Sequence, residues 1–223
     1  MALTQEQVVK RAVDLMAEAG LEALTLRRLA TELGVSAPTL YWHVRNKREL
    51  LDLMAEALVA RAGRRSPAPA HGQPWWDWLA ERARLQFRAL ISHRDAALVV
   101  AGNRPTEASL PDIEEVLDSL VAVAFPPAEA LRVILSIGNY VIGCAVERQA
   151  EEARTADPER DTRLLEQAAA LPNLRAAIAG VDRPGPAAGD AGFEYGLGLL
   201  IEGVRARHAE LLSAAPGRPV PAG

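Results

Sequence analysis

Lysine is almost missing from this chain: among its 25 basic residues only Lys10 and Lys47 are not arginine. A single cysteine, Cys144, excludes an internal disulfide, and its apolar neighbours mark it as an inert buried thiol. No stretch of about 18 consecutive apolar residues offers a membrane span, and the opening MALTQEQVVK has no signal-peptide core. The expected location is therefore the cytoplasm, with no membrane partner. The four histidines fall on four different elements without metal-ligand spacing, and no Ser/His/Asp set is suggested. His93, Arg94 and Asp95 spell the HRD of a kinase loop, but no glycine-rich loop, β3 lysine or DFG accompanies them. Gly196 and Gly198 have neither a preceding strand nor the third glycine of a dinucleotide site. Strand alternation and internal repeats are absent too. These absences predict an all-α chain that is not an enzyme and needs no metal or cofactor.

What is present centres on Thr25 to Lys47, TLRRLATELGVSAPTLYWHVRNK. Leu26, Leu29, Ala30 and Leu33 recur at helical spacing behind a Thr25 cap, and Gly34 stops that helix. Ser36 caps the next, with Pro38 in its first turn. Two short helices around a tight turn make a helix-turn-helix. In the second, Thr39, Tyr41, Trp42 and His43 place large amphipathic groups where a packing helix would carry Glu and Lys. Arg27, Arg28, Arg45, Lys47 and Arg48 face only Glu32 and Glu49 here, a local excess of positive charge in a chain of net charge −4. A basic patch confined to one motif points to DNA phosphates rather than to polyanions in general.

The remaining chain reads as helices in two domains, residues 1–63 and 75–213. Thr4 and Gln7 form a capping box for a first helix that ends at Gly20 and closes over the helix-turn-helix as its third wall. Asn46 and Glu49 open a connecting helix to Gly63. Residues 64–74, RRSPAPAHGQP, are the linker, with three prolines and a glycine. Helices are then expected over Trp75–Ser92, Asp95–Ala101, from Thr106 or Ser109 to near Phe125, and Ala128–Ala153. Thr155 to Arg163 reads as a polar connector, Leu164–Ala179 as a helix broken or kinked at Pro172, and Phe193–Leu212 as the last helix, with a disordered tail at 214–223. The helices Ala128–Ala153 and Phe193–Leu212 are apolar over more than one face and carry Gly138, Gly143, Gly196, Gly198 and Gly203. They are expected to pair with their symmetry mates as a four-helix bundle, making a homodimer.

The segment LTLRRLATELGVSAPTLYWHVRNKRELLDLMAEAL resembles the DNA-binding domain of the TetR family of bacterial repressors. Farther on, ALISHRDAALVVAGNRPTE and IGCAVERQ are similar to that family's ligand-binding core, so the resemblance covers roughly Thr4 to Leu212. It implies a three-helix DNA-binding domain on a helical ligand-binding and dimerisation domain. The homodimer would bind a palindromic double-stranded DNA operator and leave it when a small molecule binds. It also implies that Arg27 reaches a guanine edge, that Thr39, Tyr41 and Lys47 hold phosphates, and that Pro38 and Tyr41 meet thymine methyls. Ala37 replaces a base-reading glutamine. Thr25, Ser36, Trp42 and His43 complete the expected interface.

For the effector, the resemblance places the candidate pocket among Arg82, Phe87, Val100, Asn103, Arg104, Pro105, Val116, Leu131, Ile134, Gly138 and Glu147. Leu171, Leu174 and Ile178 would reach over from the other subunit. Glu147 matches a glutamate that helps hold magnesium through water, but Val100 stands where a metal-ligating histidine is expected and Arg82 where a polar drug-fixing residue is. A magnesium-tetracycline chelate would lose its direct protein ligand. The expected effector is therefore hydrophobic or aromatic, bound without metal and oriented by Arg82 or Arg104. An activator or orphan regulator of the same fold is the alternative within the class. A small-molecule carrier, the alternative outside it, would not need a basic helix-turn-helix.

Overall fold

The computed structural model describes residues 3–63, 68–103, 105–154, 157–180 and 189–214, with the side chains of 61–63 set aside. Arg104, the start of the linker, most of the loop before Gly189 and the tail lie outside the described residues. Eleven α-helices and one 3-10 turn account for the regular structure among them, with no strand.

Three local caps start the DNA-binding head. Thr4 accepts from the amide of Gln7 at 3.2 Å while the Gln7 side chain accepts from the amide of Thr4 at 3.0 Å, opening α1, Gln5–Ala19. Thr25 accepts from Arg28 N at 3.1 Å and opens α2, Leu26–Glu32. Ser36 accepts from Thr39 N at 3.3 Å and opens α3, Ala37–Tyr41. The turn between α2 and α3 needs the left-handed φ of 66° at Gly34. α3 is shorter than the sequence pattern predicts: Trp42 is its C-cap and His43 follows it, because the chain must turn back through buried Val44 before α4, Lys47–Gly63.

From α4 the chain enters the body. α5, Trp75–Ile91, lies between α4, α8 and α11, and α6, Ala96–Val100, packs on α4 and α8. A 3-10 turn over Glu107–Ser109, capped by Thr106, leads into α7, Leu110–Ala122, so both starts expected for this helix are used. α7 ends with Ala124 at φ 76°, Phe125 N bonding Leu120 O at 3.1 Å and Ala124 N bonding Val121 O at 2.9 Å. This is a left-handed helix stop of the kind glycine usually makes. α8 is Pro127–Glu152 and α11 is Gly189–Ala214. Buried side chains from Val8 in α1 to Ile201 in α11 form one continuous core, so head and body share it through α4.

Two expectations need correction. The connector before Arg163 is helical from Pro158: Asp157 accepts from Arg160 N at 3.0 Å and Pro158 occupies the first turn, so its acidic residues are a helix start rather than a solvated loop. Pro172 breaks the next stretch, one of the two outcomes expected there, into α9, Pro158–Ala169, and α10, Pro172–Ala179. The last helix begins at Gly189, four residues before Phe193.

Candidate nucleic-acid interface and effector pocket

Only Leu40 of α3 is buried; Ala37, Pro38, Thr39, Tyr41 and Trp42 all face outward. Trp42 is 89% exposed, which rules out a core role for this indole and leaves it for an external surface. Arg27, Arg28 and Lys47 are exposed as well, and Lys47 begins the 17-residue α4, whose N-terminus carries the positive end of its dipole. Local hydrogen bonds fix the reading surface. Ser36 Oγ and Thr39 Oγ1 lie 2.8 Å apart, Asn46 Oδ1 accepts from Glu49 N at 2.9 Å, and Glu49 accepts from Arg45 N at 2.5 Å. Gln5 Nε2 donates to His43 O at 3.0 Å, tying α1 to the end of α3. Arg11 bridges Glu18 at 2.9 Å and Glu32 at 2.6 Å, and those hydrogen bonds hold the guanidinium above its usual range. Of the residues expected at the DNA interface, Thr25, Arg27, Ser36, Ala37, Pro38, Thr39, Tyr41, Trp42 and Lys47 are exposed and His43 is half-buried.

The body residues expected around an effector are less uniform. Arg82 of α5 sits with its guanidinium 5.5 Å from the Trp78 ring. Burial pushes the Arg82 guanidinium down from its ordinary value, opposed by Glu115 and Asp112 on α7. Val100 and Val116 are buried, whereas Leu131 is 41% exposed. A Cβ added at Gly138 would meet nothing, so space is open beside α8 there. Phe87 stacks on Phe193 with ring centroids 4.0 Å apart and belongs to the contact between α5 and α11. Glu147 is exposed, while its neighbour Arg148 pairs with Glu152 at 2.7 Å. Asn103 donates its amide to Val100 O at 3.1 Å, just after α6, and Pro105 is exposed. Leu171 and Leu174 are exposed on the α9–α10 hairpin, whose main contacts are between its own two helices; Ile178 is half-buried. Among the described residues no three His, Cys, Asp or Glu side chains converge as metal ligands.

The sequence reading missed the bonds at the two ends of α6. Asp95 precedes it at φ 62° and gives its helix no side-chain cap, because its carboxylate accepts from Leu21 N of the head at 2.7 Å. A Cβ at Gly20 would press on Arg94 and Asp95, so the α1–α2 turn approaches this corner closely. The cap is supplied from α8 instead: Gln149 Oε1 accepts from Ala97 N at 3.3 Å. Gln149 Nε2 donates to Leu90 O at 2.9 Å and His93 O at 2.7 Å. Beyond the other end, Arg48 of α4 donates to Gly102 O at 2.9 Å, and Glu56 of α4 accepts from Thr106 N at 2.9 Å and from the Thr106 hydroxyl. α6 is therefore a short body helix bonded to the head at both ends.

A basic helix-turn-helix on a helical body, joined through such a helix, defines a DNA-binding regulator of the one-chain, two-domain kind. Residues 8–54 match the family model of bacterial regulatory proteins of the tetR family, and residues 68–208 match that of the tetracyclin repressor-like C-terminal domain. The chain is 37% identical over 205 residues to the tetracycline repressor protein class A from transposon 1721 of Escherichia coli, covering 92% of each. Among solved structures it is similar to TetR(class A) in complex with 5a,6-anhydrotetracycline and magnesium, at 30% identity and TM-score 0.67, covering 92% of this chain and 99% of that one. It is also similar to ActR of Streptomyces coelicolor in complex with actinorhodin, at 28% identity and TM-score 0.79, covering 93% and 99%. The chain belongs to the TetR family, and it is a ligand-responsive transcriptional repressor that binds its DNA operator as a homodimer.

Proposed function

We propose that the effector is a hydrophobic or aromatic small molecule, taken up without a metal ion between α5, α6, α7 and α8 and oriented by Arg82, and that it releases DNA by moving α6. The observation that carries this reading is the bonding of α6: Asp95 to Leu21 N, Arg48 to Gly102 O and Glu56 to Thr106 transmit its position to the head. Magnesium does not fit the donors present. Val100 offers no lone pair, and Glu147 alone is too few ligands for a cation that demands six oxygens. Arg82, over the Trp78 ring, supplies one polar anchor among apolar side chains. Leu171, Leu174 and Ile178 of the partner subunit close the pocket, which accounts for the exposed α9–α10 hairpin.

On the DNA side, the two α3 helices occupy successive major grooves of a near-palindrome about 34–36 Å apart. Leu135 of α8 with Tyr195 and Leu199 of α11, all exposed, form the face that pairs with the partner. α8 has the length and hydropathy of a membrane span, but this apolar face is accounted for by a helix partner. The protein acts in the cytoplasm and catalyses no reaction. Titrating operator release with tetracycline, with and without magnesium, against metal-free aromatic compounds tests the proposal. Release by a metal-free compound is expected, and tight magnesium-dependent release by tetracycline would refute it.

A further inference from the structure

Within the head α1 packs mainly on α2 and α4, yet its first residue reaches the far end of α3: Gln5 Nε2 donates to His43 O at 3.0 Å, across 38 positions of chain. Gln5 takes no part in the start of its own helix, which Thr4 and Gln7 cap between them. Its amide serves another helix instead.

What it holds is the weak end of the reading head. α3 has five residues, far below the roughly 12–15 at which a helix stands by itself, and of these only Leu40 is buried. Its orientation must therefore come from ties at its two ends. The entrance is fixed locally, with Ser36 accepting from Thr39 N and Leu40 N bonding Ser36 O at 3.1 Å. At the exit Leu40 O takes both His43 N at 2.9 Å and Val44 N at 3.1 Å, and His43 O is the carbonyl that Gln5 holds. Tyr41 and Trp42, both exposed, lie between the two ties. A base edge is recognised only by groups held within about 0.5 Å of the productive geometry, whereas a phosphate attracts a cation from any side. We propose that Gln5 is a positioning residue for operator recognition, fixing the exit of α3 so that Tyr41 and Trp42 meet the operator in register, a role that rests on α3 being the helix that enters the groove. Because Gln5 is exposed, its hydrogen bond adds little to global stability, and its effect lies in discrimination.

Gln5→Met removes the donor and keeps the stem, and Gln5→Lys returns a donor of similar reach. The measurement is the ratio of operator to random-DNA affinity of the full-length dimer, taken with urea denaturation and amide exchange at His43 and Val44. Gln5→Met should lower the ratio roughly fivefold, about two- to threefold for each of two heads, with an unchanged urea midpoint and faster exchange. Gln5→Lys should tighten binding to both DNAs through its charge and return the ratio to that of the parent. An unchanged ratio, equal losses on both DNAs, a loss accompanied by a lower urea midpoint, or a ratio that Gln5→Lys leaves low would each overturn the positioning role. Tyr41→Ala, measured alongside, separates that role from the reading beneath it: a loss there without one for Gln5→Met overturns the positioning role alone, and no loss for either overturns the reading of α3 with it.

Discussion

Gln149→Met tests the claim that α8 caps α6 on behalf of Asp95. Methionine keeps the length and apolar stem of glutamine and removes both polar atoms, so packing is nearly conserved. Three hydrogen bonds are lost, to Leu90 O, His93 O and Ala97 N. At about 0.5–1.5 kcal/mol net for each, and with water able to reach a half-buried site, the loss is about 2 kcal/mol of global stability. Urea denaturation should show a lower midpoint with an unchanged slope. The local effect is sharper, since the Ala97 amide loses its acceptor and its hydrogen exchange should accelerate. If about 1 kcal/mol of the loss falls selectively on the DNA-bound state, half-release should need roughly fivefold less effector. A stability change under about 0.5 kcal/mol together with unchanged exchange at Ala97 would refute the capping role.

Other perturbations separate the parts. Arg27→Ala should cost about 1–3 kcal/mol on operator DNA and relax one base pair, whereas Lys47→Ala should weaken all sequences alike and lower the salt slope by about one; equal losses on operator and random DNA for Arg27→Ala would remove its reading role. Glu194 receives two Arg84 nitrogens at 2.8–2.9 Å, and that pairing holds its carboxyl below the usual range. Its stabilisation is present above the ordinary carboxylate pKa and lost as pH falls through the lowered one. Glu194→Gln should therefore cost roughly 0.5 kcal/mol at neutral pH, discounted for exposure, and nothing in acid, as read by paired denaturation curves. Ala124→Gly should stabilise by about 1 kcal/mol in thermal melts, because it removes a side chain from a left-handed turn.

What was legible in the sequence was what is local. The caps at Thr4, Thr25 and Ser36 satisfy donors three residues away, so their residue types announce them. Asp157 and Pro158 carried the same signal but sat in an acidic stretch that reads equally as a solvated loop, and only packing decides between the two. The stop at Ala124 was invisible, since nothing in alanine marks a positive φ. The least legible feature was the one that links the two domains. Asp95 looks like an N-cap, yet its partner Leu21 is 74 positions away in the chain, and the cap it withholds comes from Gln149, 52 positions on from Ala97. No spacing rule joins such residues; only the close approach at Gly20 brings them together.

The burial of Val100 limits how a ligand can move α6. At 8% exposure the side chain has little more surface to hide, so it contributes almost nothing to the difference between the two states. Switching operator occupancy from 99:1 to 1:99 needs about 5.5 kcal/mol of differential affinity. At about 25 cal/mol per Å², apolar contact alone would require about 220 Å² more burial in the released state than in the bound one. That is roughly the whole surface of one large aromatic side chain, so a single-ring compound supplies it only when it is engulfed almost completely in one state and left in water in the other. Ligands of increasing ring number should thus show a threshold, with release beginning at two or more fused rings. An acidic group reaching Arg82 should lower the threshold, and Arg82→Met should abolish that advantage while leaving release by neutral polycyclic compounds intact. Operator-release titrations across such a series decide it: full release by a one-ring neutral compound would mean that the free energy comes from some contact other than apolar burial.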